Sequence, residues 1–228
     1  MVVQQDSTLT YRKQDLPNLP FFGAIAQPSL CRLSDTVAVV VGGVSQGSWL
    51  KSCFTYDVET HSITTLPEMN EARWSQGSCV LGDYLYTFGG HRHAACINSI
   101  EKLQVTGELG PASRAWQLIP ASQVPNYTPR GWTLACPLNA DEIVLIGGNN
   151  GVGPNDDKND IQIYDVATDS CTSRIEAGAD FTFFCESNGS IKVSNDRIVA
   201  AVSSLADRRN RIIEYRKGAP AIEVLFEL

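Results

Sequence analysis

The chain's 228 residues carry a net charge of −7, a sequence pI near 4.9, 43% hydrophobic residues and only 19% charged ones. That balance excludes wholesale disorder, and it excludes a nonspecific nucleic-acid binder, which needs a basic footprint. It also disfavours an anionic membrane surface, and no apolar run reaches the roughly 18 residues of a membrane span.

The polar start Met1-Val-Val-Gln-Gln-Asp6 shows no basic-then-apolar leader. Leu9-Thr-Tyr11, followed by Leu16-Pro17 and Leu19-Pro20, predicts an outer strand over 8–20. A first repeat, about 21–67, then opens with a strand from Ala26 to Leu33. A Ser34-Asp35 turn leads to Val37–Val41, which closes on Gly42-Gly43. Phe54–Asp57 is its third strand, and Ile63–Leu66, ending at Pro67, its fourth.

The second repeat, about 72–120, has the same order. Arg73–Leu81 turns at Gly82-Asp83 into Tyr84–Phe88 and Gly89-Gly90, followed by Ile100–Leu103 and Trp116–Pro120. The third, about 129–176, runs from Arg130 to Leu138 and turns at Asn139-Ala-Asp141. Its second strand, Glu142–Ile146, closes on Gly147-Gly148, and Ile161–Asp165 and Cys171–Ile175 follow. A degenerate fourth, about 181–228, places Ser203-Ser204 where the others have glycines. Arg211–Tyr215 and Ala221–Phe226 are its last two strands.

A glycine pair recurring about every 50 residues, each time inside the same four-strand pattern, is the period of β-propeller blades. The expected fold is therefore all-β: a single propeller or partial propeller, 1–228, of about four blades with four antiparallel strands each. The combination of a diglycine after the second strand, Tyr56-Asp57 and Tyr164-Asp165, Trp116, and Leu66-Pro67 resembles the kelch repeat. Ile63 and Cys171 stand where Trp would, and Lys102-Leu103 replace Tyr-Asp. Four inner strand pairs against five candidate outer strands leave three arrangements open. The chain is an arc of a larger ring, or a closed ring of four, or an arc completed by self-association or a partner chain.

The resemblance implies a noncatalytic module that grips a protein or peptide on one face. In antiparallel blades with strands a to d running outward, the b–c and d–a loops share that face, and variable loops on a rigid scaffold carry recognition residues. The candidates are Trp49, Arg73, His91, Arg92, His93, Arg130, Asn149, Asn150, Asp156, Asp157, Arg208 and Arg209. Trp49 sits in a Gly/Ser-rich loop and reads as an aromatic anchor. Arg73 and Arg130 read either as ion-pair partners of an acidic residue on a neighbouring blade or as ligand forks. Trp74 and Trp132 read as packing between blades.

His91-x-His93-x-x-Cys96 has the residue types of a zinc site, and a cysteine beside a histidine those of a nucleophile. Each is outweighed by a plain packing role, so no catalytic residue, metal or cofactor is assigned. Asn155–Asp160 lacks the glycine and closing glutamate of a calcium loop. An odd count of seven cysteines with no CxxC pair reads as reduced core thiols in the cytoplasm. The alternative function is a propeller enzyme, metal-assisted or not, acting on a carbohydrate or other small molecule.

Overall fold

The computed structural model describes residues 24–93, 95–106, 115–149, 160–175, 183–184, 190–204, 209–219 and 222–227. Within them the first sheet comprises β1 (Ser29–Arg32) and β2 (Val37–Val41), then β5 (Cys53–Asp57) and β6 (Ile63–Leu66). A small hairpin, β3 (Val44–Ser45) and β4 (Ser48–Trp49), stands between β2 and β5. The second sheet repeats the plan with β7 (Gly77–Leu81), β8 (Tyr84–Phe88), β11 (Ser99–Gln104) and β12 (Gln117–Pro120). Its own hairpin is β9 (His91–Arg92) and β10 (Ala95–Cys96). A 3₁₀ turn, Ala121–Gln123, is the one helical element among the described residues.

The third sheet is β13 (Leu134–Pro137), β14 (Glu142–Ile146), β15 (Asp160–Asp165) and β16 (Ser170–Ile175). In the fourth, β17 (Phe183–Phe184) and β18 (Ser190–Ser194) both pair with β19 (Arg197–Ser204), followed by β20 (Asn210–Arg216) and β21 (Glu223–Glu227). The split inner strand of this last sheet was not foreseen. Every pairing is antiparallel, and the four sheets ring a common axis as a four-bladed β-propeller. The innermost strands β1, β7, β13 and β18 all line one cavity on that axis. The strand expected over 8–20 lies outside the described residues.

The strands of the second and third sheets are apolar on both sides because each of these sheets is covered on both faces. Leu85 and Leu103 of the second sheet pack toward the first, against Val39, Val41, Leu66 and Met69. Tyr86, Phe88 and Ile100 point the opposite way, against Ile143, Leu145 and Tyr164 of the third. Leu134, Val144, Ile146 and Ile161 then meet Ile198, Val202, Ile213 and Tyr215 of the fourth. The two-residue alternation of side chains along a strand distributes these residues between neighbouring cores.

The glycine pairs stand where neighbouring sheets come closest. Gly89 has φ +54°, and a Cβ there would collide with the Arg130 carbonyl oxygen of the third sheet's lead-in. Gly42 bears the same relation to Arg73. The second glycine of each pair completes the joint, with Gly43 N–H donating to the Arg73 carbonyl at 2.9 Å and Gly90 N–H to the Arg130 carbonyl at 3.0 Å. Trp116 reinforces the first boundary by donating its indole N–H to the Pro67 carbonyl at 2.8 Å.

The Tyr-Asp pairs close the turns between third and fourth strands. The Asp57 carboxylate accepts the amides of Glu59 at 2.8 Å and Thr60 at 3.0 Å, and Asp165 likewise accepts those of Ala167 and Thr168. These bonds favour the ionised form and hold both carboxyls below the usual range. Tyr56 bonds His61, and Tyr164 bonds Asp169, at the left-handed residue of each turn. In the second sheet the equivalent register belongs to Leu103-Gln104, opposite Leu85 and Tyr84, and not to Lys102-Leu103 as the motif alignment suggested.

Candidate partner-binding face

One end of the propeller is built from the b–c hairpins and the segments leading into each innermost strand. Gln46 and Gly47 both have positive φ, 50° and 75°, which is the tight turn that lets β3 fold back on β4. Each of the two hairpins, and Asn149 beyond β14 in the third sheet, is moored to its own sheet's lead-in by a two-way backbone bridge: Val44 with Ala26, His91 with Trp74, and Asn149 with Gly131. The residue after each bridge adopts a left-handed conformation, with φ 53° at Gln27, 53° at Ser75 and 56° at Trp132. Ser75 N–H donates to the Gln27 carbonyl at 3.3 Å, and Trp132 N–H to the Ser75 carbonyl at 2.7 Å. A staircase of backbone bonds thus passes from sheet to sheet around the axis.

Arg73 and Arg130 do not reach this surface. Both are 0% exposed. The Arg73 guanidinium donates to the Gly89 carbonyl at 2.7 Å and to the Glu101 carboxylate, also 0% exposed, at 2.7 Å. Glu101 is further held by the amides of Asn70 and Glu71. Arg130 donates to the Gly147 carbonyl at 3.1 Å and to Asp160 at 3.0 Å. Their forks are consumed inside their own sheets, because a buried guanidinium needs a carboxylate and carbonyls around it. Expecting them in a ligand site, or paired to an acid of a neighbouring blade, is therefore corrected, because Glu101 and Asp160 belong to the same sheets as their arginines.

His91 and Asn149 are also buried, at 5% and 8% exposure. The His91 imidazole sits over Gly131, which has no Cβ to obstruct it, and its ring centroid lies 5.2 Å from that of Trp74. Burial lowers the His91 pKa from its ordinary value, so the ring is neutral at neutral pH. Trp74 meets Trp132 edge-on at 5.5 Å, joining the second and third sheets as the packing reading expected.

His91 and His93 diverge. Cys96 Sγ is 3.6 Å from His91 Nε2, and its thiol donates to the Asn149 carbonyl at 3.2 Å. His93 turns away and packs against Trp49, with ring centroids 4.2 Å apart and the ring planes tilted by 52°. Among the described residues no three His, Cys, Asp or Glu side chains are grouped to hold a metal ion.

Four of the candidates stay accessible. Trp49 is half-buried, and Arg92, His93 and Arg209 are exposed. Arg209 pairs with Glu227 at 2.6 Å. Asn150, Asp156, Asp157 and Arg208 lie outside the described residues. The Trp49–His93 pair joins the hairpins of two adjacent sheets and was foreseen only as separate residues. Nothing local to 49 or 93 announces it, since the two residues lie on hairpins of different sheets, 44 positions apart in sequence.

Among the described residues no helix is long and apolar enough to cross a membrane. No protein-family model and no curated protein matches the chain.

Proposed function

We propose that the chain is a noncatalytic kelch-type scaffold that binds a protein or peptide through the face carrying the b–c hairpins. The observation that carries this reading is the tilted Trp49–His93 ring contact, an aromatic platform spanning two hairpins with the Arg92 cation on one of them. A rigid aromatic body beside an exposed Arg is the composition of an interface hot spot. A cytoplasmic location belongs to the same proposal, supported by six reduced cysteines among the described residues.

Affinity capture on the immobilised chain identifies the ligand, and calorimetry with the purified ligand measures it. Trp49→Ala and His93→Ala are expected to weaken binding by about tenfold or more, with the urea unfolding midpoint close to that of the parent. Equal binding by both variants would overturn the reading.

A further inference from the structure

On the axis lies a cavity of about 620 Å³, within the size range of small-molecule sites. Its wall has a regularity that the glycine repeat does not announce. Cys31 pairs with Val39, Cys79 with Tyr86, Cys136 with Val144 and Ser190 with Ala200. Each partner lies three residues before the glycine pair or its serine replacement. The four side chains therefore occupy one level of the four innermost strands, and all four line the cavity.

Burial pushes the Cys31 thiol up to about 12 and the Cys79 and Cys136 thiols above their ordinary value. The thiols stay protonated and behave as small apolar groups. Nearer the mouth, Leu30 is 58% exposed and Val58 52%, and both line the same cavity. Large exposed apolar side chains beside a cavity gain by being covered. Lys192, exposed on the innermost strand of the fourth sheet, is a cation in the wall. Arg32, the other lining cation, is engaged by Asp35.

We infer that this cavity is a binding site for a small molecule with an apolar body and one anionic group, the body covering Leu30 and Val58 against the thiol level and the anion facing Lys192. The site is separate from the Trp49–His93 platform, because none of the cavity-lining residues belongs to a b–c hairpin.

Anilinonaphthalene sulfonate, an apolar body with one sulfonate, is the probe. Its fluorescence should titrate to a single saturable site per folded chain, and octanoate should displace it while octylamine, equal in length and opposite in charge, does not. Leu30→Trp and Val58→Trp fill the mouth from positions already in water, so the chain should still unfold cooperatively. Each is expected to weaken the probe by about tenfold. Lys192→Glu should weaken it and abolish the preference for octanoate over octylamine. Three results each overturn the inference: no saturable binding to the folded parent, equal displacement by both octyl compounds, or affinity unchanged in both tryptophan variants.

Discussion

The Gly90 amide donates to the Arg130 carbonyl at 3.0 Å across the boundary between the second and third sheets. The side chain of the same arginine holds Asp160 within the third sheet. One residue thus joins its own sheet by its side chain and its neighbour by its backbone. Arg73 does the same one sheet earlier, with Gly43 and Glu101.

Replacing Gly89 by Ala should be costly, because the new Cβ is forced both into a left-handed backbone and onto the Arg130 carbonyl. A loss of roughly 2–4 kcal/mol in urea unfolding is expected. Gly82→Ala, at φ +58° with nothing within 4 Å, is the control and should lose only about 1 kcal/mol. Equal losses would refute the close-approach account.

Arg73→Met should destabilise more than Arg130→Met. It strands Glu101, at 0% exposure, whereas Asp160 is 13% exposed and keeps some access to water. About 3–5 kcal/mol is expected for Arg73→Met. Partial recovery in Arg73→Met/Glu101→Gln, read by a double-mutant cycle, would identify the stranded carboxylate as the cause.

The pH dependence of stability should contain a contribution from His91. Its folded pKa lies below the ordinary 6.5, so the unfolded chain binds the proton more readily. Stability is complete above that value and declines as pH falls below it. Thermal unfolding between pH 7.5 and 5 should show a shallower decline in His91→Gln than in the parent. The readout is the slope, which a uniform loss of stability does not change.

Among the described thiols, Cys96 should react first with iodoacetamide. It is the half-buried one, while Cys31 and Cys53 are buried with pKa values pushed up to about 12. Mass mapping of a time course checks the order, and early labelling of Cys31 or Cys53 in the folded chain would contradict it.

The four-strand order was legible because alternation, turn residues and glycine pairs are all local signals. Tyr84–Phe88, for example, was read with the bounds it has. The roles of Arg73 and Arg130 were not legible. Their carboxylates, Glu101 and Asp160, are about thirty residues away, and a recurring arginine suits a buried ion pair as well as a ligand fork. A usable clue was Glu101 itself, an acid following Ser99-Ile100 in a strand otherwise facing two cores. The thiol level was equally hidden. Cys31, Cys79 and Cys136 were counted as core residues, and only strand register shows that they share a height with Ser190.

Because the hydrophobic residues are divided between adjacent sheets, each joint is a shared possession. The second and third sheets own half of two interiors and the whole of none. Cutting away the fourth sheet would therefore leave Leu134, Val144, Ile146 and Ile161 wetted together as a sticky flank. Cohesion accrues joint by joint, as in stacked repeats, and a truncated chain would be driven to cover that flank with another molecule.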